Sequence, residues 1–358
     1  MGKTAAGTFR SKVYQLIKPY EVRETEIERT LHWGEVAVRP VLGSVCHADL
    51  RYFTGNRRPE ALARKLPMAL IHEGIGEVIA SSSDKLSPGQ RVVIVPNIPE
   101  SPLSALANPD SVAVNYSKNG KFLGSGTDGI AQSVLILPDL CAVPIPADVP
   151  EEIAVLAEVS TIAHQAIGRI GHRLAGKRIA VFGDGPVGYV TAALLLFHYR
   201  VPKEDLVVFG AVPEKLEKFD FATCCNVNEY DFSRGMGAHI AIECTGGRFS
   251  SAAINQAIDI LDYCGFLILL GVTEELVPIN TRDILEKGIT VLGSSRSSFR
   301  DYSPVLQSMR HPGYQRVLRR LIPGNFALVR TAEDFARVMR EASEHPHWQK
   351  VMMTFDWT

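Results

Sequence analysis

The 358-residue sequence has no long hydrophobic run, almost no net charge and no regular cysteine framework. No apolar stretch reaches the roughly 18 to 20 residues that a membrane-spanning helix needs. The longest candidate, residues 187–199, contains Gly188 and Thr191 and is better interpreted as a buried helix. A formal net charge of −1 gives no global field to attract nucleic acid or an anionic membrane. These absences argue against a membrane-inserted protein and against a nucleic-acid partner.

The cysteines show no disulfide pattern, and the N-terminal region has no apolar segment typical of a secretion signal. Free thiols in a reducing cytoplasm are therefore the expected state. The six are Cys46, Cys141, Cys224, Cys225, Cys244 and Cys264. Hydrophobic residues make up 46% and charged residues 22% of the chain, as in ordinary globular enzymes, and the length favours two domains.

Two different patterns divide the chain. Short β-rich runs separated by glycine, proline and polar turns occupy residues 10–145, which predicts an antiparallel barrel or sandwich, and residues 144–158 are helical in pattern. From Arg178 onward, apolar strands alternate with helices, which predicts an α/β fold with a doubly wound parallel sheet. The predicted strands of this sheet are 179–182, 206–209, 224–227, 239–242, 266–270 and 289–292. After Ser297 the pattern is helical again, and residues 350–355 are predicted to return as a strand to the first domain.

A glycine loop opens the second part of the chain. Gly183, Gly185 and Gly188 follow an apolar strand and precede an apolar helix, with Pro186 and Val187 between them. In this context the three glycines permit a tight turn, close approach of phosphates and close packing of helix against strand. The helix N-terminus then offers free N–H groups to an anion. The loop predicts a dinucleotide site; the alternative is a structural turn that binds nothing.

The end of the second strand bears on the choice between NAD and NADP. NAD sites usually carry an acidic residue there to bind the ribose hydroxyls, whereas this strand ends at Gly210 and Ala211, and Asp205 lies at its other end. We expect no carboxylate to repel a 2′-phosphate, and Lys215 follows as a cation that could pair with it. The alternative is that Lys215 is a solvated helix charge. The pattern favours NADPH.

Four residues have the chemistry of metal ligands. Cys46, the adjacent pair His72 and Glu73, and Glu158 offer the thiolate, imidazole and carboxylate groups that catalytic zinc sites use. Adjacent His and Glu side chains can share one ion only in an irregular turn, which the glycines at 74 and 76 would permit. Asp49 could accept a hydrogen bond from His72 and orient it. Taken singly, each of these signals is also common in proteins without metal. The alternative interpretation is that Cys46 is an ordinary core residue and that His72 and Glu73 belong to an ordinary turn.

Nearly the whole chain resembles the zinc-type medium-chain dehydrogenases, in which a GroES-like catalytic domain is followed by a Rossmann domain. The family order is matched by Cys46-x-x-Asp49, His72-Glu73-x-x-Gly76, Glu158 and the glycine loop. A narrower resemblance, to ribulose-5-phosphate reductases, is carried by Leu66–Gly74, Val95-Pro96-Asn97-x-Pro99, residues 269–272, residues 280–288 and residues 293–297. The resemblance implies a catalytic domain over 1–158 and 302–358 and a Rossmann domain over 159–301.

The resemblance also implies a site and an activity. Carried over by position, Cys46, His72, Glu73 and Glu158 are ligands of one catalytic Zn²⁺, and the reaction is reduction of D-ribulose 5-phosphate to D-ribitol 5-phosphate by NADPH, which feeds CDP-ribitol and ribitol-phosphate polymers. Several departures stand out. Residues 97–121 lack the cysteines of a structural zinc, Ile71 replaces the usual glycine, and Ala48 replaces the usual hydroxyl of a proton relay. Thr127 and Ala211 stand where the narrower resemblance implies a histidine and a lysine, and Ala211 weakens the argument for a 2′-phosphate.

The substrate phosphate needs cations, and the guanidinium fork of arginine can bond two of its oxygens. The candidates are Arg51, Arg57, Arg58 and Lys65, which lie between the metal segments, and Arg296 after the sixth strand. We expect Arg51 and Arg57 to bind the phosphate; a solvated basic loop is the alternative. The resemblance further implies a homodimer through the last Rossmann strand and a ribitol-5-phosphate cytidylyltransferase as a partner. Two rival functions remain: an NAD(P)-dependent polyol or alcohol dehydrogenase acting on an unphosphorylated substrate, and a non-enzymatic NADPH-binding protein.

Overall fold

The computed structural model describes residues 7–234, 236–345 and 348–358. These residues divide into two units. The first, the β-rich unit, contains the described residues up to Glu158 together with Ser297–Arg310 and the described part of Leu321–Thr358. The second, the parallel-sheet unit, contains the described part of Val159–Arg296 together with His311–Arg320.

The strands, numbered in chain order, are β1 (Thr8–Lys18), β2 (Glu21–Thr30), β3 (Glu35–Ser44), β4 (Met68–Ala69), β5 (Glu73–Ser81), β6 (Arg91–Ile94), β7 (Asn97–Ile98), β8 (Lys121–Phe122), β9 (Leu135–Pro138), β10 (Ala142–Pro144), β11 (Ile179–Phe182), β12 (Leu206–Gly210), β13 (Thr223–Asn226), β14 (Ala238–Glu243), β15 (Leu261–Leu269), β16 (Thr290–Gly293), β17 (Ala327–Val329) and β18 (Met352–Phe355). The α-helices are α1 (His47–Phe53), α2 (Pro59–Lys65), α3 (Pro102–Ala107), α4 (Ser111–Asn115), α5 (Glu151–Ala154), α6 (Ala157–Gly168), α7 (Pro186–Phe197), α8 (Pro213–Leu216), α9 (Ser250–Ile260), α10 (Thr281–Lys287), α11 (Phe299–Met309), α12 (Pro312–Leu318) and α13 (Ala332–Glu344).

The β-rich unit is built from mainly antiparallel sheets, as its short β-rich runs and turns predicted. The largest has the order β10-β6-β5-β3-β18-β17, with β9 also paired to β3, and a second has the order β2-β1-β4. The C-terminal strand β18 pairs with β3, with Met352 opposite Ser44. The predicted return of residues 350–355 to the first domain is therefore confirmed. This pairing also brings Lys350, two residues before β18, close to the loop that follows β3.

The parallel-sheet unit has one sheet, of order β13-β12-β11-β14-β15-β16, in which every neighbouring pair is parallel. All residues of β11 and β12 are buried, which explains why these strands are continuous apolar runs. The chain moves outward on one side of β11 and then returns to β14 on its other side. This reversal creates a switch point, where open α/β sheets bind ligands at the carboxyl ends of their strands. The α/β fold class is confirmed.

The units differ from the predicted domains at two short segments. Residues 311–320, predicted to be in the first domain, belong to the parallel-sheet unit, because Tyr189 Oη donates to Val317 O at 3.0 Å and Phe197 stacks on Tyr314. Residues 297–301, predicted to be in the second domain, belong to the β-rich unit, where Asn97 Nδ2 donates to the carbonyl of residue 297 at 2.9 Å. Both differences depend on contacts between residues far apart in the sequence, which no local pattern predicts.

Within the part of the chain that the structure describes, no helix combines the length and the apolarity needed to cross a lipid bilayer. All six cysteines are free thiols, as predicted.

Candidate active site

Three side chains of the β-rich unit converge. The ligand atoms of Cys46, His72 and Glu73 lie within 4.8 Å of one another. Cys46 is the N-cap of α1, His72 immediately precedes β5, and Glu73 is the first residue of that strand. His72 and Glu73 are buried, and Cys46 is half-buried. One thiol, one imidazole and one carboxylate form a donor set that zinc accepts in catalytic sites, so these residues fit the metal.

Asp49 holds the two ligand-bearing segments together. Its Oδ1 lies 3.0 Å from His72 Nδ1 and accepts the backbone N–H of Ile71 at 3.1 Å, while Oδ2 accepts the N–H of Cys46 at 3.1 Å. The contact at Nδ1 fixes the ring and directs the other nitrogen toward the cluster. Burial alone would lower the pKa of His72, but the charge of Asp49 and hydrogen bonds with Asp49 and Cys46 raise this pKa well above its usual value.

Glu158 lies beside the three ligands without joining them. It is the second residue of α6 and is fully buried, yet it does not fall within the 4.8 Å limit that unites the other three. Burial raises the pKa of Glu158 to about 7, helped by the charge of Glu73 and opposed by that of His72. The structure thus brings together three of the four predicted ligands and places the fourth within electrostatic reach.

A buried lysine, which the sequence analysis did not identify, faces the same cluster. Lys350 Nζ lies 2.9 Å from Glu73 Oε1 and 2.8 Å from Oε2, and the two side chains are only 7% and 1% exposed. Burial alone would lower the pKa of Lys350, but the charges of Glu73 and Cys46 raise it above its usual value. The one local signal was a lysine two residues before the apolar strand β18.

The backbone turns sharply just before the two adjacent ligands. Ile71 has a φ of 69°, which a β-branched residue rarely adopts. Two hydrogen bonds hold it: Asp49 accepts its N–H, and its carbonyl accepts the N–H of Ile130 at 2.8 Å. Its side chain is fully buried and covers Gly43, where an added Cβ would lie 3.2 Å from Ile71 Cγ2. This conformation explains why the resemblance anticipates a glycine at position 71.

The predicted role of the following glycines is wrong. Gly74 and Gly76 lie inside β5 rather than in an irregular turn. Added Cβ atoms there would lie 2.8 Å and 2.7 Å from carbonyl oxygens of β3. These glycines therefore allow close strand pairing, and the irregular backbone lies earlier, at Ile71.

The glycine loop of the parallel-sheet unit has the geometry that its sequence predicted. Gly183 has a φ of 129°, and a Cβ added to Gly188 would overlap the carbonyl oxygen of Gly183. A Cβ on Gly185 would instead meet nothing within 4 Å. Gly185 is the N-cap of α7, with Pro186 in the first turn and Val187 after it. One glycine is thus needed for the turn, another for packing, and the open one leaves the backbone accessible to an anion.

A buried glutamate orders the loops beside this one. Glu243 ends β14 opposite Phe182 of β11, at the switch point. Its Oε1 accepts N–H groups of Thr245 and Gly246 at 2.8 Å and 3.0 Å, and Oε2 accepts that of Gly271 at 3.1 Å. Sequence reasoning missed this residue, because a glutamate at the end of an apolar strand does not reveal which loops it will hold.

Both parts of the chain match known protein families. Residues 32–147 match the model of the alcohol dehydrogenase GroES-like domain, and residues 215–311 match that of zinc-binding dehydrogenases. Ribulose-5-phosphate reductase 1 of Staphylococcus aureus is 37% identical over 96% of this chain and 98% of its own length. The corresponding reductase of Bacillus spizizenii is 35% identical over 97% and 99%. The chain belongs to the zinc-type medium-chain dehydrogenase family.

Solved structures agree with this assignment. The crystal structure of Staphylococcus aureus TarJ in complex with NADPH has a TM-score of 0.82 and 33% identity, covering 97% of this chain and all of that one. L-idonate 5-dehydrogenase of Escherichia coli also has a TM-score of 0.82, but its 21% identity shows the fold alone. The predicted resemblance, including that to ribulose-5-phosphate reductases, is confirmed. As a member of this family the chain is an oxidoreductase of the alcohol/ketone class.

We expected no carboxylate at the end of β12 that could repel a 2′-phosphate, and this expectation is wrong. Asp184, inside the glycine loop, places a carboxylate at the end of β12. Its Oδ2 accepts the N–H groups of Ala211 and Val212 at 2.8 Å and 2.9 Å, and Oδ1 lies 3.9 Å from Lys215 Nζ. The acid comes from the neighbouring loop rather than from the strand, so inspection of the strand alone missed it. A Cβ on Gly210 would lie 2.7 Å from that of Asp184, so packing accounts for this glycine.

The two predicted phosphate-binding arginines lie in different surroundings. The Arg57 guanidinium lies over the Tyr52 ring, 4.6 Å from its centroid. Lys65 Nζ donates to Tyr52 Oη and to Ser125 Oγ, at 2.8 Å in both cases. Arg51 lies on α1 near His47, and the pKa of His47 is lowered by burial and then by the charges of Lys350 and Arg51.

Proposed function

We propose that this dehydrogenase reduces D-ribulose 5-phosphate to D-ribitol 5-phosphate with NADPH as the hydride donor, in a zinc-dependent reaction. The observation that carries the proposal is the meeting of Cys46, His72 and Glu73 within 4.8 Å, in a chain that matches ribulose-5-phosphate reductases over almost its full length. A protein that only binds nucleotide has no use for this donor set.

In this proposal Cys46, His72 and Glu73 hold a single catalytic zinc, and Glu158 is the fourth ligand. When bound there, zinc supplies a Lewis acid that polarises a carbonyl oxygen. Asp49 keeps the His72 ring in place, and Lys350 forms a buried ion pair with Glu73. Residues 97–121 contain no cysteine, which supports the absence of a second, structural zinc.

The glycine loop holds the dinucleotide. The N-terminus of α7 is shaped by Gly183, Gly185, Pro186, Val187 and Gly188, and its free N–H groups would bind the pyrophosphate. NADPH supplies the hydride when bound. Lys215 is the proposed cation for its 2′-phosphate, and the relative of known structure that was solved with NADPH supports this choice of cofactor. Gly210 leaves room for Asp184, whose carboxylate orders the backbone that follows β12.

The substrate is a small sugar phosphate. We propose Arg57, with Arg51, as cations on the phosphate side of the site. The product suits a ribitol-5-phosphate cytidylyltransferase, which makes CDP-ribitol for ribitol-phosphate polymers such as teichoic acid. A homodimer formed through the edge strand β16 and a cytoplasmic location are part of the same proposal.

A substrate panel tests the proposal. Purified protein is assayed with ribulose 5-phosphate, ribulose and unphosphorylated polyols, with NADPH and NADH, before and after treatment with a chelator. We expect a strong preference for ribulose 5-phosphate with NADPH and loss of turnover in chelator that zinc restores. Equal rates with ribulose and ribulose 5-phosphate would point to an ordinary polyol dehydrogenase. Absence of zinc together with no turnover on any ketose would point to a nucleotide-binding protein.

A further inference from the structure

A group of four residues in the β-rich unit combines two cations with two hydroxyls. The Tyr52 cluster consists of Tyr52, Arg57, Lys65 and Ser125. Lys65 Nζ lies 2.8 Å from both hydroxyl oxygens, which are themselves 3.0 Å apart, and Arg57 covers the face of the Tyr52 ring. Tyr52 is 3% exposed, whereas the other three are half-buried. The charged side of the cluster therefore remains accessible from solvent.

The donors in this cluster outnumber the bonds made within it. The Lys65 ammonium has three N–H donors and uses two of them on Tyr52 and Ser125. The two hydroxyls share one hydrogen bond, which consumes only one of their two O–H donors. One N–H and one O–H remain available to an acceptor. Both partners of Lys65 are neutral hydroxyls, so neither cancels its charge, and the acceptor that fits best is an anion.

A tight turn connects this cluster to the metal ligands. The turn over residues 122–127 has Gly124 and Gly126 at φ values of 68° and 90°, and Ser125 N donates to Phe122 O at 3.1 Å. At its start, the Phe122 ring lies 5.4 Å from that of His72. At its tip, Ser125 meets Lys65. The same turn thus contacts a predicted zinc ligand at one end and the cation cluster at the other.

Helix α1 connects them a second time. Asp49, which orients His72, and Tyr52 are three residues apart on this helix and therefore lie on neighbouring parts of its surface. Gly124 packs beside Asp49, since an added Cβ would lie 3.4 Å from Asp49 Oδ1. Along the helix axis, the backbone of Tyr52 is therefore about one turn, roughly 5 Å, from that of Asp49.

We propose that the Tyr52 cluster is the phosphate subsite, with Lys65 and Ser125 as the residues that make the enzyme specific for a phosphorylated ketose. This inference rests on the proposed function and deepens it. A pentulose phosphate places its carbonyl and its phosphate at opposite ends of a short carbon chain, which matches a metal site and a cation cluster joined by one turn. Lys65 supplies a point charge, Ser125 a hydroxyl donor, and Arg57 the planar second cation.

The test compares two substrates in one set of variants. Lys65→Met removes the ammonium but keeps most of the side-chain stem, and Ser125→Ala removes only a hydroxyl. Arg64→Met, an exposed cation one residue earlier on α2, is the matched control. For each variant, kcat/KM is measured with ribulose 5-phosphate and with ribulose, together with NADPH binding and thermal unfolding.

We expect Lys65→Met to lower kcat/KM for ribulose 5-phosphate by roughly 10- to 100-fold, as loss of a charge-assisted hydrogen bond does. The loss should appear mainly in KM. Ser125→Ala should lose less, about 3- to 10-fold for a neutral hydroxyl. Neither change should affect turnover of ribulose, and Arg64→Met should affect neither substrate. Inorganic phosphate should compete with ribulose 5-phosphate in the wild-type enzyme and lose this effect in Lys65→Met.

Equal losses on both substrates would overturn the inference, because a proton donor or a purely structural cluster acts regardless of the phosphate. Tyr52→Phe distinguishes a proton donor from a purely structural cluster. If the Tyr52 hydroxyl donates a proton, its loss would lower kcat on both substrates and change the pH profile of kcat. If Lys65→Met proves unfolded, Ser125→Ala and phosphate competition decide the question. A wild-type enzyme that prefers ribulose 5-phosphate, with a preference that survives Lys65→Met, contradicts this inference alone. A wild-type enzyme without that preference contradicts the proposed function.

Discussion

The metal cluster and the glycine loop show two different ways to build a site. The glycine loop is made by six consecutive residues, and its shape follows from side chains that are missing. The metal cluster gathers Cys46, His72 and Glu73 from separate segments, with Lys350 added from the end of the chain. The glycine loop depends on the space left by absent side chains, and the metal cluster depends on buried charges that balance one another. A local motif can therefore be recognised from sequence in detail, whereas the charge partners of a distributed site cannot.

The largest effect expected from this comparison comes from Cys46→Ser. Because zinc favours thiolate over a neutral hydroxyl and its Lewis acidity is worth several kcal/mol, turnover should fall by at least about 10³-fold. Binding of NADPH should stay near that of the wild type, since the glycine loop is unchanged. Steady-state kinetics, metal content and NADPH titration measure these quantities. A comparable loss of NADPH affinity would show that the two sites are not independent.

Lys350→Met tests the charge balance of the metal cluster. In metal-free protein the Glu73 carboxylate would lose its ion-pair partner while remaining buried, which should lower the free energy of unfolding by about 3–5 kcal/mol. Zinc should recover part of this loss by supplying positive charge to the same carboxylate. Denaturant unfolding in chelator and then in zinc measures both effects. Stability that does not change in chelator would show that the ion pair makes no net contribution to folding.

Gly188→Ala and Gly185→Ala sharpen the description of the glycine loop. The first places a Cβ against the Gly183 carbonyl, so it should lower both stability and NADPH affinity, by about 1–3 kcal/mol in stability. The second has open space in the free protein and should leave stability unchanged while weakening NADPH. Thermal unfolding without ligand and NADPH titration distinguish the pair. If both variants unfold alike, Gly185 has a packing role that the structure does not show.

The smallest expected effect concerns position 211. Substituting Gly210 with aspartate would probe packing against Asp184 more than it would probe charge, so the exposed Ala211 is the better choice. Ala211→Lys adds a cation at the end of β12 and should tighten NADPH by up to about 1 kcal/mol, as exposed ion pairs do. Ala211→Gln is the control of similar length. NADH should bind both variants equally, and a gain shared by NADH would rule out contact with the 2′-phosphate.

Sequence alone predicted the elements with strong local patterns. Strand β11 was predicted with its observed bounds, and the neighbouring strands were placed within a few residues, because buried parallel strands are continuous apolar runs. The glycine loop was predicted because its signal lies within one turn. Residues 311–320 were assigned to the wrong unit, since a helical pattern does not reveal what the helix packs against.

Contacts between distant segments account for the other misses. Lys350 is 277 residues from Glu73, and Ser125 is 60 residues from Lys65, so no spacing rule connects either pair. Asp184 was overlooked for a different reason: the carboxylate at the end of β12 is donated by the adjacent loop, not by the strand where it was sought. The location of Glu158 beside the other ligands, rather than among them, depends on distances that spacing does not specify.

The left-handed backbone at Ile71 has a consequence for how this chain can diverge. Its buried side chain lies against Gly43, where an added Cβ would lie 3.2 Å from Ile71 Cγ2 and 3.1 Å from Phe355 Cε2. An alanine at position 43 therefore needs space from both neighbours, and a glycine at position 71 would supply only part of it. Residues 43, 71 and 355 should therefore change together over evolutionary time, although they are far apart in the sequence.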